Sequence, residues 1–288
     1  MFQKLQTQAV PYIRLMRLNK PIGVFLLLWP TLWALWIAGH GKPDVKIVLI
    51  FIAGVILMRS AGCIINDVAD RNFDGHVERT RQRPLVTGLV KVKGALILFT
   101  LLVLTAFLLV LQLNALTIAL SFVAVTLAII YPFVKRFSYL PQLVLGAAFA
   151  WSVPMAFAAQ TNSVPVLVCL VYLIALLWPV MYDTIYAMVD RDDDMHAGIK
   201  STAILFGKYD VYIVGVLQII VIFLLLLLGM LLHFGIVFYI TIFFASLLFI
   251  YQQYLIRERV PAKCFQAFLN NNWVGLVIFI GIYYSVIP

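Results

Sequence analysis

Charge is scarce in this chain. Of 288 residues only 11% are charged and 64% are hydrophobic, whereas a soluble domain carries about 25% charged residues. An ordinary water-soluble globular class is therefore excluded. Cysteine is thin as well: Cys63, Cys169 and Cys264 are dispersed and form no CxxC pair. That spacing argues against a disulfide framework or a structural zinc site and leaves small residues packed among helices. The four histidines (His40, His76, His196, His233) are isolated near the ends of apolar runs and make no ligand set. No small-residue cleavage pattern follows the first apolar run, which reads as a retained helix rather than a signal peptide.

What abounds is apolar sequence of membrane-spanning length, for which about 20 residues suffice. Nine such runs occur, at 21–40, 46–66, 94–112, 115–134, 141–160, 165–187, 211–232, 235–255 and 270–287. They predict an all-α polytopic membrane protein, a single membrane-embedded domain over residues 1–288 with 1–20 as an N-terminal arm.

The 21 Lys and Arg are placed with a strong bias. Intramembrane Arg59 aside, 18 fall in the arm and after spans two, four, six and eight; only Lys42 and Lys46 fall on the other side. The positive-inside rule makes the rich face cytoplasmic. The N-terminus is then inside and the C-terminus outside. A net charge of +9 taken alone would fit nucleic acid, but topology and anionic headgroups account for it. Membrane lipid is the expected partner, and nucleic acid is not.

The 12 acidic residues are less random still. Asp67, Asp70, Asp74 and Glu78 share one window; Asp183, Asp190, Asp192, Asp193 and Asp194 share another. Both windows end apolar spans on the cytoplasmic side. In Asn66-Asp67-Val-Ala-Asp70-Arg71-Asn-Phe-Asp74 the polar positions step by three and four, which on a helix continued out of span two sets them on one face. Asp183, Asp190 and Asp194 step by seven and four, again one face, with Asp192 and Asp193 off it. Like charges so spaced repel, and carboxylates entering a membrane cost about 2.5–3.5 kcal/mol each at mid-depth. A cation must offset them. All-oxygen donors without converging His or Cys select a hard ion, Mg²⁺ or Ca²⁺. Arg71, Arg79, Arg81 and Arg83 trail the first cluster and Arg191 and Lys200 the second, which suits a diphosphate beside its metal.

The clusters end spans two and six, and each precedes a polar stretch too long for a plain turn, from Glu78 to Lys93 and from Asp192 to Asp210. Two parallel four-helix repeats facing across a central cavity, plus a ninth helix, give the simplest arrangement.

These residues resemble the UbiA-type intramembrane aromatic prenyltransferases. Asn66-Asp67-x-x-Asp70-x-x-x-Asp74 is similar to their first Asp-rich signature, and Asp190-x-x-x-Asp194 after Tyr182-Asp183 to their second. Arg17-Leu-Asn-Lys-Pro21-Ile-Gly23, Arg83-Pro84-Leu and Lys200-Ser201-Thr202-Ala fit as well, so the likeness spans most of the chain. Within the family it is greatest to the branch that prenylates 4-hydroxybenzoate in bacterial ubiquinone synthesis, including Met58-Arg59-Ser-Ala-Gly-Cys63.

The resemblance implies nine helices, a lateral opening for a lipid tail, and Mg²⁺ with the diphosphate of a polyprenyl donor between the clusters. Asn66, Asp70, Asp74, Asp190 and Asp194 are then the expected Mg²⁺ ligands, with Asp67 as a further candidate. Arg71, Arg79, Lys135, Arg136 and Lys200 are the expected diphosphate contacts. Asp183 or the released diphosphate would take the ring proton. Arg59, seven before Asn66 on the same helical face, would meet an acceptor carboxylate; the alternative is a structural partner for Asp183 or a backbone carbonyl. Arg14 and Arg17 read as positive-inside anchors. Tyr131, Tyr182 and Tyr186 could face a carbocation or simply pack. CDP-alcohol phosphotransferases also carry membrane-end aspartates, but gather them in one compact motif. A divalent-cation transporter would carry acids through the full bilayer depth, and other acceptors (haem, chlorophyllide, homogentisate, dihydroxynaphthoate) lie within the family.

Overall fold

The computed structural model describes residues 2–72, 74–76 and 80–286, with side chains from residue 9 onward except that of His76. Glu78 and Arg79 lie outside the described residues. Every regular element among the described residues is helical. The helices are α1 (Phe2–Leu15), α2 (Ile22–Ala38), α3 (Val45–Asp70), α4 (Val92–Val110), α5 (Ala115–Val134), α6 (Pro141–Ala150), α7 (Ser152–Thr161), α8 (Leu167–Val189), α9 (Arg191–Ala197), α10 (Thr202–Phe206), α11 (Asp210–Leu231), α12 (Ile236–Ile256) and α13 (Pro261–Val286).

Eight rods are long and apolar enough to cross a bilayer, counting α6 and α7 as one, and α2 is a shorter apolar helix beside them. All nine expected runs therefore fall on helices. The fifth is broken at Trp151. Pro154 has no N–H for the Ala150 carbonyl and its ring crowds that group, which ends the first half. Large apolar side chains face outward along α4, such as Ile97, Leu101 and Leu108, as a lipid-facing surface requires. The N-terminal arm is helical, and Leu15 packs in a small separate core with Ile64, Val90 and Ala95 at the end of α3.

The helices close a ring. α2 packs on α3, α3 on α4, α4 on α5, α5 on α6, α6 on α8, α8 on α11, α11 on α12, α12 on α13 and α13 on α2. α6 and α8 approach so closely that a Cβ on Gly146 would stand 2.5 Å from the Leu176 carbonyl oxygen. In chain order, α2 to α5 form one half, α6/α7, α8, α11 and α12 the other, and α13 closes the seam against α2, α8 and α12.

α13 begins at Pro261, well before the expected 270. Lys263 and Gln266 interrupt the apolar pattern ahead of 270, and the run counted from 270 opens on Asn270-Asn271-Asn272. The asparagines are instead the helix's fastenings. Successive residues on a helix point about 100° apart, so three adjacent amides reach three neighbours. Asn270 Oδ1 accepts from Gln252 on α12, Asn271 Oδ1 from the Trp178 indole on α8, and Asn272 Oδ1 from the Trp29 indole on α2, each at 3.0 Å. Gln252 in turn accepts from Gln218 on α11 at 3.1 Å.

Replacing Asn271, which is fully buried, by Leu leaves the Trp178 N–H without an acceptor. We expect Asn271→Leu to lower stability by about 1–2 kcal/mol, read as a lower thermal midpoint in detergent. Asn272→Leu, beside a half-buried Trp29, should lower it less.

Candidate active site

One cavity of about 620 Å³ opens within the ring, and both acidic clusters border it. Asn66, Asp67 and Asp70 stand on the last turns of α3, and Asp67 and Asp70 are 1% and 2% exposed. The expected helical face runs only this far. α3 ends at Asp70, and Asp74 reaches the cavity from a separate 3₁₀ turn, Asp74–His76. Asn72 and Gly75 are weak helix formers, and the Asp74 carbonyl accepts from Thr80 Oγ1 at 2.8 Å rather than continuing a helix.

The second cluster departs from a single face in the same way. Asp183 belongs to α8, Asp190 is the joint after it, and Asp194 lies on the short α9, whose first turn the Asp190 carbonyl caps at 2.8 Å. All three border the cavity, whereas Asp192 and Asp193 do not.

Cations already answer the first cluster. Arg17 Nη2 donates to Asp67 Oδ1 at 2.9 Å. Arg83 Nη1 lies 3.0 Å from Asp67 Oδ1 and 2.6 Å from Asp74 Oδ2, and Lys135 Nζ pairs with Asp70 Oδ2. Arg17 was expected to be a membrane-face anchor. Its left-handed backbone (φ 58°) instead accompanies a guanidinium turned onto Asp67. Burial pushes the Asp74 carboxyl above its ordinary value, Arg83 pulls it back, and the charges of Asp70 and Asp67 push it up again.

Asp70 Oδ1 is buried and has no hydrogen-bond partner among the described residues. Among the described residues no three His, Cys, Asp or Glu side chains converge into a ready-made metal cage. A hard divalent ion needs none, since it can take one or two carboxylates and fill its shell with water and phosphate oxygens. The orphaned Asp70 oxygen and the all-oxygen donor set fit such an ion.

The remaining expected residues divide. Arg59, Lys135, Tyr186 and Lys200 border the cavity. Arg71 and Arg136 do not: the exposed Arg71 turns back to donate to the Val68 carbonyl, and Arg136 donates to the Ala69 carbonyl and lies over the Phe133 ring. Both follow span ends closely enough to bond the last helical carbonyls, a tie their sequence spacing did not distinguish from a cavity contact. Lys200 joins the halves, its N–H bonding the Lys135 carbonyl at 3.0 Å and its ammonium the Phe137 carbonyl at 3.2 Å.

Arg59 has no carboxylate within ion-pair distance among the described residues, so the alternative of a structural partner in Asp183 is not what this geometry contains. Its Nη1 donates to Cys63 Sγ at 2.9 Å, and its guanidinium lies 5.9 Å from the Phe149 centroid. Gly23 makes room for it. A Cβ there would fall 2.3 Å from Arg59 Nε, so only glycine allows this approach. Gln142 was missed in the sequence. It borders the cavity together with Asp183 and accepts from the Thr202 N–H at 3.0 Å. The signal was there: an amide inside an otherwise apolar span.

Behind the second cluster sits a further ionic knot. Asp210 is fully buried. It pairs with Arg191, which also bonds the carbonyls of Ala203 and Gly207, and with Arg259 at 2.7 Å. Arg191 adjoins Asp190, so this knot fixes the start of α9 to α11 and to the α12–α13 turn.

A profile of the UbiA prenyltransferase family matches residues 27–278. The chain is 59% identical over 274 residues to the 4-hydroxybenzoate octaprenyltransferase of Providencia stuartii, covering 95% of each chain. It is 56% identical over 279 residues to that of Vibrio atlanticus, covering 97% of this chain and 98% of the relative. In fold it is similar to a UbiA homolog from Aeropyrum pernix (TM-score 0.79, 24% identity, 92% of this chain and 98% of the other). It is also similar to a UbiA homolog from Archaeoglobus fulgidus bound to GPP and Mg²⁺ (TM-score 0.70, 18% identity, 96% and 99%).

Asp210→Ala strands two guanidinium groups around a buried hole and should cost on the order of 3 kcal/mol, visible as an early unfolding midpoint in detergent. Glu258→Ala, which removes only exposed pairs with Arg257 and Lys263, should leave that midpoint unchanged.

Proposed function

Since the chain belongs to the UbiA prenyltransferase family, we propose that it transfers a polyprenyl group from polyprenyl diphosphate to the ring carbon ortho to the hydroxyl of 4-hydroxybenzoate, as in ubiquinone biosynthesis. The observation that carries this reading is one cavity with two acidic clusters at its polar end and, farther in, Arg59, a cation with no carboxylate partner among the described residues. At 1.5 Å per residue, the seven residues from Arg59 to Asn66 set these levels about 10 Å apart along α3.

Asn66, Asp70, Asp74, Asp190 and Asp194 would hold Mg²⁺, which when bound neutralises the diphosphate and stabilises it as a leaving group. Arg17, Arg83, Lys135 and Lys200 border the same end. Arg83 and Lys135 pair with Asp74 and Asp70, which places both cations where they would bond phosphate oxygens beside a metal held by those carboxylates. Arg79, outside the described residues, keeps its proposed role as a diphosphate contact on sequence grounds. Cleavage of the allylic C–O bond leaves a carbocation, and the ring carbon beside the phenol attacks it. Leu26, Phe107, Val125 and Leu145 are among the apolar side chains that line the rest of the cavity and keep water from the cation. Asp183, on the cavity border with Gln142, or the departing diphosphate takes the ring proton. Arg59 meets the acceptor carboxylate, kept in place by Cys63 and by the clearance at Gly23. Tyr186 packs against Phe268 with centroids 4.7 Å apart at the cavity edge.

The placement of Lys and Arg supports a bacterial inner membrane location, with the N-terminus and the active site cytoplasmic and the C-terminus periplasmic.

Purified protein in detergent, given geranyl diphosphate and 4-hydroxybenzoate, should form the 3-prenyl product with Mg²⁺ and none with EDTA. Asp70→Asn and Asp190→Asn should each lower kcat by about a hundredfold or more. Arg59→Ala should raise KM for the acid by about tenfold or more and leave that for the diphosphate unchanged, and Gly23→Ala should follow it by displacing the guanidinium. Diphosphate consumption without product would keep the reaction class and reject this acceptor. Folded protein that consumes no diphosphate would reject the enzyme reading.

A further inference from the structure

Tyr182 is 2% exposed, and its ring is packed edge-on against Trp178 and Phe268, with centroids 5.4 and 5.9 Å away. A phenylalanine would make the same contacts. Packing thus accounts for the ring and leaves the hydroxyl unexplained. Tyr182 Oη is buried and has no hydrogen-bond partner among the described residues. Buried polar atoms are paired in the large majority of cases, and an unpaired one works against folding.

Position suggests what it is for. Tyr182 borders the cavity together with its neighbour Asp183 and with Arg59, whose charge is near enough to act on both. Tyr182 stands eight residues before Asp190 on α8, and Arg59 seven before Asn66 on α3. At 1.5 Å per residue, both lie roughly 10–12 Å inward from the metal-binding level.

We infer that the Tyr182 O–H is a second donor of the acceptor subsite, bonding the carboxylate that Arg59 neutralises; this rests on the acceptor reading above. An ionised carboxylate offers about four lone-pair positions, and Arg59 has already committed one N–H to Cys63. In an apolar cavity the guanidinium alone leaves the acid under-bonded. A neutral phenol adds a donor without adding charge. Asp183 cannot serve while ionised, since it only accepts and would repel the acid.

Tyr182→Phe deletes the hydroxyl and keeps the ring. The test measures binding of labelled 4-hydroxybenzoate by equilibrium dialysis, in detergent with Mg²⁺ and the unreactive donor geranyl S-thiolodiphosphate, with benzoate and phenol as competitors. The variant should bind 4-hydroxybenzoate and benzoate about tenfold or more weakly and phenol as before. Without ligands its thermal midpoint should equal or exceed that of wild type. Equal losses for phenol and benzoate, no loss for either, or a lowered ligand-free midpoint would overturn the inference. Wild type that binds no aromatic acid while still consuming geranyl diphosphate would defeat the acceptor reading itself; wild type and variant that bind the acid equally would defeat only the role of Tyr182.

Discussion

Three carboxylates crowded into the end of an apolar bundle set the terms for the rest of the molecule. Asp67, Asp70 and Asp74 are nearly inaccessible and repel one another. Each is answered by a cation from elsewhere in the chain. Arg17 comes from the segment after α1, Arg83 from the stretch after the 3₁₀ turn, and Lys135 from the end of α5. Neutralising the cluster therefore also sews the arm, the first polar stretch and α5 to α3. A substitution among these acids touches the ligand set and the fold together, so its effect on turnover has meaning only beside a stability measurement.

In the first half, acids that face the cavity also hold ion pairs. The second half adds a centre outside the cavity lining, where Asp210 gathers Arg191 and Arg259 behind Asp190 and Asp194. The polar stretch between α8 and α11 is accordingly fixed at its base by charge and across the cavity mouth by the backbone bond from Lys200 to Lys135. The two stretches thus share a purpose in bridging the bundle end without sharing its wiring.

Much of this was legible in the sequence because a bilayer allows few alternatives. Apolar length gave the helices, and the two acidic windows gave the shared cavity. Three kinds of feature escaped. Helix ends were invisible to spacing: Asp74 and Asp194 keep a helical interval from their neighbours but sit beyond breaks, and reach the cavity from separate turns. Partner choice among cations was also hidden. Arg17, Arg71, Arg83 and Arg136 all lie in the polar segments beside spans, and only three-dimensional reach separates the two that meet carboxylates from the two that bond helix-end carbonyls. Finally, polar residues inside spans carried information that apolar length does not use, at Gln142 in α6 and at Asn270 to Asn272 in α13.

The asparagine trio gives α13 a rotational register. Each amide is committed to a different neighbour, so the helix can be seated in one azimuth only. An insertion or deletion of a single residue ahead of Asn270 would turn the whole downstream face by about 100° and mismatch all three bonds at once. Gly275, packed against Trp29 and Trp178, would swing away with them. Helix α13 is thus keyed like a bolt in a lock, and the length of the α12–α13 turn is held to a single value by residues that lie well inside the helix it leads to.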